Sequence, residues 1–410
     1  MGVAAGGNVY IALAKAVEGW SVGLAEGAVA ISPWEFKLEY RDYKEVIRQF
    51  GVQEMTRDLV ARMKEKNRLF ERGLIFAHRG FERILEAEEK GEEYVILTGM
   101  MPSGRFHFGH KLIADLMAWY YRRGVKVVIP ISDIEAYVIR GVSQSDVERY
   151  AVEEYMLNYM ALGVDLANRE RVMIYSQWAN EEVKNLAIKF SAKVTASHLG
   201  AMFGFRYKGE GEESDTIGRI FFPFIDAADI MYPQSEEMGG PKPVLVPVGI
   251  DQDPYIRLCH DLAPKFSMLK PSSIYVKMMA GLQGPGTKMS SSKPETAIFL
   301  SDSPDEARRK LMEAFTGGRA TAREQREEGG QPDICVPYMF LLFHFEDDIL
   351  KRTFEDCTSG SVLCGECKQR IAERLVRFLE EHRRKLKEAR ERLPRVFEVQ
   401  EKLGFKPSWL

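Results

Sequence analysis

Short unbroken apolar runs alternate with stretches of helical spacing through the middle of the chain, the pattern of an α/β sheet with helices between its strands. Tyr94-Val95-Ile96-Leu97 opens the series as a strand over 94–99. Leu112, Ile113, Leu116, Met117 and Tyr120 then recur at helical spacing, and Arg122-Arg123-Gly124 supplies a basic last turn and a glycine stop, so the next element is a helix over 108–123. A strand over 125–131, a helix over 144–162 and strands over 171–175 and 244–248 follow. This order predicts a doubly wound, Rossmann-like parallel sheet with ligands at the strand ends. Upstream, Tyr43, Val46, Ile47 and Phe50 share one helical face before Gly51. Downstream of about 296 the texture changes to long charged helices, over 304–315 and 365–392. The expected division is an N-terminal extension over 1–30, a hairpin and helical segment over 31–80, the α/β domain over 81–295 and an all-helical domain over 296–410.

A chain of 410 residues with 45% hydrophobic content can bury more than one core. Its formal charge of -3 gives no global case for nucleic acid, so any such partner must be met by local basic patches. The run Arg383-Arg384-Lys385-Leu386-Lys387 reads as a solvated helix face. Residues 1–30 are Gly/Ala-rich, with no basic leader and no apolar run long enough to span a bilayer, so no membrane role is expected. Five scattered cysteines, an odd number, point to reduced thiols in a cytoplasm. Cys364 and Cys367 form one C-x-x-C inside a helical pattern, and without a second pair neither a zinc site nor redox chemistry is expected.

Two segments carry chemistry. After the strand at 94–99, Pro102-Ser103-Gly104-Arg105 turns the chain into Phe106-His107-Phe108-Gly109-His110 at a helix start, a ready-made anion site. His107 and His110 fall on one face of the first turn, where imidazoles can donate to phosphate oxygens as charge builds, and Gly109 lets a flat purine approach. Far downstream, Leu282-Gln283-Gly284-Pro285-Gly286-Thr287 leads into Lys288-Met289-Ser290-Ser291-Ser292. The small residues predict a mobile loop that delivers Lys288 to a bending triphosphate while hydroxyls and amides hold the leaving group. Taken singly, each segment also has a plain reading, as locally satisfied histidines and as a Ser-rich linker. Together, in this order, they point to nucleotide activation.

The two segments resemble the nucleotide-handling elements of class I aminoacyl-tRNA synthetases. From about Ile31 onward the chain is similar to the tryptophanyl-tRNA synthetase family of archaeal and eukaryotic type. The match is carried by Pro33-Trp34-Glu35-Phe36, by 71–79 (ERGLIFAHR), by Phe203-Gly204-Phe205, by 249–255 (GIDQDPY) and by Thr287-Lys288-Met289-Ser290, with 315–319 and 358–360 adding to it. The resemblance implies ATP with Mg²⁺ as substrate and no protein-held metal, L-tryptophan and tRNA(Trp) as partners, a homodimer, and an anticodon-reading C-terminal domain. It places Lys288, His107 and His110 in catalysis. Gly109, Gly249, Asp251, Met289, Ser290, Ser291 and Ser292 join them at the nucleotide, and Gly99, Glu135, Asp226, Asp229 and Gln252 fall at the amino acid. It also implies that the Pro33-Trp34-Glu35-Phe36 segment is a hairpin over the nucleotide.

Asp229 matches the aspartate with which bacterial tryptophanyl enzymes hold the indole N–H; its plain alternative is a turn cap. The animal-type tyrosine and glutamine that hold that nitrogen fall at Leu97 and Pro130, which have no side-chain hydrogen bond to offer. Asp229 must therefore replace them, while Asp226 and Glu135 balance the α-ammonium. A tyrosyl enzyme has the same fold and motifs, and its hydroxyl-reading pair falls at 97 and 229; only the aspartate is present, so Leu97 counts against tyrosine, while a phenolic ligand held by Asp229 alone stays the alternative. A catalytically idle relative that binds RNA or a partner remains a different class of reading, against which every motif residue is present.

Overall fold

The computed structural model describes residues 43–205 and 215–407; the Pro33-Trp34-Glu35-Phe36 segment and the extension over 1–30 lie outside them. Seven strands form one sheet: β1 (Gln53–Glu54), β2 (Ile75–Arg79), β3 (Val95–Leu97), β4 (Lys126–Ile131), β5 (Val172–Ser176), β6 (Val244–Val248) and β7 (Ser272–Val276), in the order β1-β2-β7-β6-β3-β4-β5. From β7 to β5 all neighbours are parallel. β1 and β2 continue the sheet antiparallel. The four strands read from the apolar runs are all here, and with β7 they form the parallel part of the sheet.

Strand alternation explains why helices cover both faces. Ile96, Val127, Ile129 and Leu245 point into a core shared with the helix Phe108–Arg122, whereas Val95, Leu97, Val128 and Val246 point into a second core under the helix Ile217–Met231. Strands buried on both faces appear in sequence as unbroken apolar runs. That is how β3, β4 and β6 were legible.

The stretch before residue 80 is only partly helical. Tyr43–Phe50 is the expected helix, but Ile75–Arg79 is a strand of the main sheet, so the sheet crosses the expected division at 80–81. A buried ion pair joins this segment to the rest: Arg79 grips Asp253 with two hydrogen bonds, at 2.6 and 2.8 Å, and Tyr275 donates to the same carboxylate. The Arg79 guanidinium also donates to the carbonyls of Phe50 and Gly51.

Beyond the sheet, the expected helices are found at Pro304–Glu313 and Cys364–Val399. Val336, Phe340, Leu375, Leu379 and Leu393 share the core of the first sheet face, so the helical part packs directly on the α/β part. After the long helix the chain returns to β5: Gln400 donates to the carbonyls of Leu166 and Val172, and the Lys402 carbonyl accepts from the Ser176 amide. Among the described residues no helix is long and apolar enough to cross a membrane.

Candidate active site

The strand order reverses between β6 and β3, and a cavity of about 280 Å³ opens there, at the carboxyl ends of β3, β4 and β6. Gly99, Gly109, His110, Glu135, Asp226, Asp229, Gly249 and Gln252 all line it. So do Leu97 and Pro130, the two apolar departures noted above. Residues separated by more than 150 positions thus share one wall.

At the cavity edge the helix Phe108–Arg122 begins with His107 as its N-cap residue. The rings of His107 and His110 stack at 3.7 Å, and the His107 backbone N–H donates to His110 Nδ1 at 3.3 Å. With Nδ1 accepting, the His110 proton resides on Nε2. His107 Nδ1 is buried without a partner. Burial holds both imidazoles below the ordinary range, His110 to about 4, and the neighbouring His110 depresses His107 further. Both rings are therefore neutral donors at pH 7 rather than cations. Gly109 is needed for this stack, since a Cβ there would stand 2.9 Å from the His107 ring.

The downstream segment meets the upstream one directly. Ser291 Oγ donates to the Arg105 carbonyl at 2.8 Å, and a Cβ on Gly104 would come within 2.7 Å of Ser291 Cβ. Ser290 and Ser292 hydroxyls pair at 2.9 Å, and the Ser290 amide donates to Thr296. Where the sequence predicts a loop outside any regular element, Gly284–Lys288 (β9) is a strand, antiparallel to Ala280–Gly281 (β8). The turn depends on Gly284, at φ +100°, where a Cβ would also strike the Phe315 ring at 2.6 Å. Lys288 ends the hairpin with an exposed side chain, and Met289 beside it is buried.

The opposite part of the cavity is acidic. Burial pushes the half-buried Glu135 up to about 8, with the charge of Asp226 adding and that of Arg140 opposing, and pushes Asp226 up to about 7. Asp251, outside the wall itself, is raised by burial and drawn back by a 3.1 Å hydrogen bond from Gln252 and by the charge of Lys288. Gly249 carries no side chain because a Cβ would lie 2.4 Å from Asp251 Oδ1. Clustered carboxylates that resist ionising are suited to receive a cation.

Asp229 is buried at the apolar end, beside Leu97, Pro130, Ile230, Val246 and Ile256. It does not cap a turn. Tyr175 donates to its Oδ1 at 2.8 Å and the Gln177 amide to its Oδ2 at 2.5 Å. A carboxylate has about four acceptor positions, so capacity for a further donor remains. Tyr175 and Gln177 were missed in sequence, where the former read only as strand.

Tyr155 and Tyr159, on the cavity wall, were also missed. The expected helix over 144–162 contains a π turn at Ala151–Met156, between α-helical Gln144–Tyr150 and Leu157–Ala161. The insertion changes the facing of the residues after it, and no hydrophobic period reveals it. The Tyr155 hydroxyl is buried without a partner. Glu154, within the same turn, accepts from the Phe106 amide at 3.0 Å and so anchors the His107 loop.

The model of class I tRNA synthetases (W and Y) matches residues 89–380. The tryptophan–tRNA ligase of Methanocaldococcus jannaschii is 42% identical over 90% of this chain and 98% of its own. That of Aeropyrum pernix is 41% identical over 88% of this chain and 96% of its own. The crystal structure of tryptophanyl-tRNA synthetase from Aeropyrum pernix superposes with a TM-score of 0.79 at 40% identity, covering 89% of this chain and 98% of that one. A tryptophan-bound tryptophanyl-tRNA synthetase from Encephalitozoon cuniculi gives 0.77 at 27% identity, covering 88% and 98%.

Proposed function

The chain belongs to the class I tRNA synthetases of the tryptophan and tyrosine group, and on that premise we infer that it activates L-tryptophan with ATP and transfers it to tRNA(Trp). The observation that carries this reading is the single cavity itself, which has neutral imidazole donors at one edge, a carboxylate cluster within it and a buried acceptor among apolar residues.

The tryptophan carboxylate attacks the α-phosphorus of Mg-ATP, the bond to the β-phosphate oxygen breaks, and tryptophanyl-adenylate and pyrophosphate result. The acyl group then passes to the ribose 2′-hydroxyl at the tRNA 3′ end. Mg²⁺ arrives with the nucleotide, whose phosphate oxygens it prefers. Lys288, His107 and His110 meet the charge that develops at the phosphates, with Gly109, Met289, Ser290, Ser291, Ser292, Gly249 and Asp251 holding the nucleotide around them. Gly99, Glu135, Asp226, Asp229 and Gln252 seat the amino acid. Catalysis on this account is positioning and electrostatics, with no covalent intermediate on the protein. The helical C-terminal part is assigned to the anticodon, and a homodimer is the expected assembly, measurable by light scattering.

Neutral histidines make a specific prediction. His110→Ala removes the Nε2 donor and should lower turnover by about 10²-fold while changing ATP affinity much less. His107→Asn keeps a donor without the ring and should cost less. In the wild type, neither ring should contribute an activity step at pH 6–7. If rapid-mixing adenylation falls no further than ATP binding does, the histidines serve the fold alone.

A pH dependence follows from the acids. Glu135 and Asp226 hold protons in the folded, ligand-free chain that the unfolded chain has already released, so free-protein stability falls as pH rises across roughly 5–8. Binding an ammonium requires the ionised forms, so the sign for ligand is opposite. Tryptophan affinity should rise by about tenfold or more from pH 6 to pH 8, with proton release on binding, and Asp226→Asn should flatten the slope. Calorimetry in buffers of different ionisation enthalpy measures both; an affinity independent of pH would remove these two carboxylates from the ammonium site.

A further inference from the structure

One peptide group joins the two nucleotide segments. The Arg105 carbonyl accepts from Ser291 Oγ at 2.8 Å, and the amide of the same peptide bond, on Phe106, donates to Glu154 at 3.0 Å. That bond is planar, so turning one end turns the other. The Phe106 ring packs against His110 at 5.3 Å, the Phe106 carbonyl accepts from the Leu300 amide, and the Phe108 amide donates to the Ile298 carbonyl. Whatever holds this peptide therefore sets how the histidine helix and the Lys288 segment stand to each other.

Two neighbouring residues of the long helix Cys364–Val399 reach it by separate routes. His382 is buried, and its Nε2 donates to Asn158 Oδ1 at 2.6 Å. The Asn158 amide nitrogen donates to the Glu154 carbonyl within the π turn, and the Glu154 carboxylate takes the Phe106 amide. An amide oxygen only accepts, so the His382 proton stays on Nε2. Burial, with the charge of Lys111 adding, pushes this imidazole down to about 3, which keeps it a neutral donor at pH 7. Arg383, in the run that reads in sequence as a solvated face, is half-buried and donates to the Asp302 carbonyl at 2.7 Å. The Asp302 carboxylate accepts from Arg105 at 2.7 Å, from Lys310 at 2.8 Å and from the Phe299 amide at 3.0 Å.

Packing of the long helix does not require these contacts. Leu375, Leu379 and Leu393 already seat it on the core, and a histidine buried among them is desolvated at a cost that another leucine avoids. The polar side chain is spent instead on a π turn, an irregularity that concentrates at functional sites. Resting on the adenylation reading above, we propose that His382 and Arg383 are positioning residues for that step: through Asn158 and Glu154, and through Asp302, they fix the Arg105–Phe106 peptide and so the placement of the imidazole donors against the Lys288 segment. Neither touches the substrate. A displacement of about 1 Å at the reacting groups costs on the order of 10²-fold in rate, while ground-state binding survives it. The C-terminal part thus contributes to adenylation itself, a step that uses no tRNA.

The test pairs two readouts on the full chain without tRNA: hydrogen exchange at the Phe106 amide, and single-turnover adenylation per folded site, with sites counted by tryptophan-binding stoichiometry. His382→Ala should speed the exchange by about tenfold or more and slow adenylation by about one to two orders of magnitude, with ATP and tryptophan affinities changed by about threefold or less. His382→Gln, whose amide nitrogen can donate where Nε2 does, should recover most of both. Arg383→Met keeps the stem without the donor and should slow adenylation in the same sense, which decides the matter if His382→Ala fails to fold. Leu393→Ala, a core change in the same helix, should lower the thermal midpoint and leave both readouts at wild-type values. Unchanged exchange and rate in the His382 and Arg383 variants would overturn the proposal, as would a loss confined to affinity or an equal loss in Leu393→Ala. A wild type without tryptophan-dependent adenylation would overturn the functional reading, and exchange at Phe106 would still decide whether His382 holds that peptide.

Discussion

Lys288→Ala should lower single-turnover adenylation by about 10²-fold or more while leaving tryptophan binding nearly intact. Lys288 ends the β8–β9 hairpin with its side chain exposed, while the next residue, Met289, is buried. The ammonium is thus placed by a fixed neighbour and free to follow a phosphate. Serine contacts to the Arg105 loop keep the hairpin against the histidine helix. An interaction made only as charge builds affects the rate and not the ground-state affinity. Rapid-quench measurement with saturating ATP and tryptophan separates the two; unchanged adenylation would remove Lys288 from the mechanism.

Asp229→Ala should weaken tryptophan activation by about one to two orders of magnitude or more, since stranding the indole N–H in an apolar pocket costs roughly 1–3 kcal/mol, and more when the lost acceptor was charged. ATP affinity should be spared. The structure adds a complication: the same change strands Tyr175 and Gln177, both of which donate to Asp229. A ligand-side test avoids it. The wild type should discriminate strongly against an analogue with sulfur in place of the ring N–H, because that analogue leaves the acceptor unpaired without disturbing the protein. Equal activation of the two would show that Asp229 does not read the indole.

The parts of this molecule legible in sequence are those governed by local pattern. β3, β4, β5 and β6 show as apolar runs because both of their faces are buried, and the helix after His107 shows by its period and its stop. β2 and β7 escaped because their pairing joins positions 75–79 to 272–276, a contact with no local signature. The hairpin before Lys288 escaped for a different reason: its glycines signal a turn but not that the flanking residues pair. At the site, the residues resembling family motifs fall together. Their supports, Tyr175, Gln177, Glu154 and Tyr155, belong to ordinary-looking strand and helix and are recruited by a π turn and by strand ends.

A cavity that makes tryptophanyl-adenylate also runs that reaction backwards in the presence of pyrophosphate. Amino-acid-dependent exchange of pyrophosphate into ATP, measured with each of the twenty amino acids in turn, tests it most directly. Tryptophan should drive exchange and tyrosine should drive none of comparable rate, because Leu97 stands where a tyrosine-reading hydroxyl is needed and Asp229 has an apolar surround. Exchange driven by tyrosine, or no amino-acid-dependent exchange at all, would contradict it.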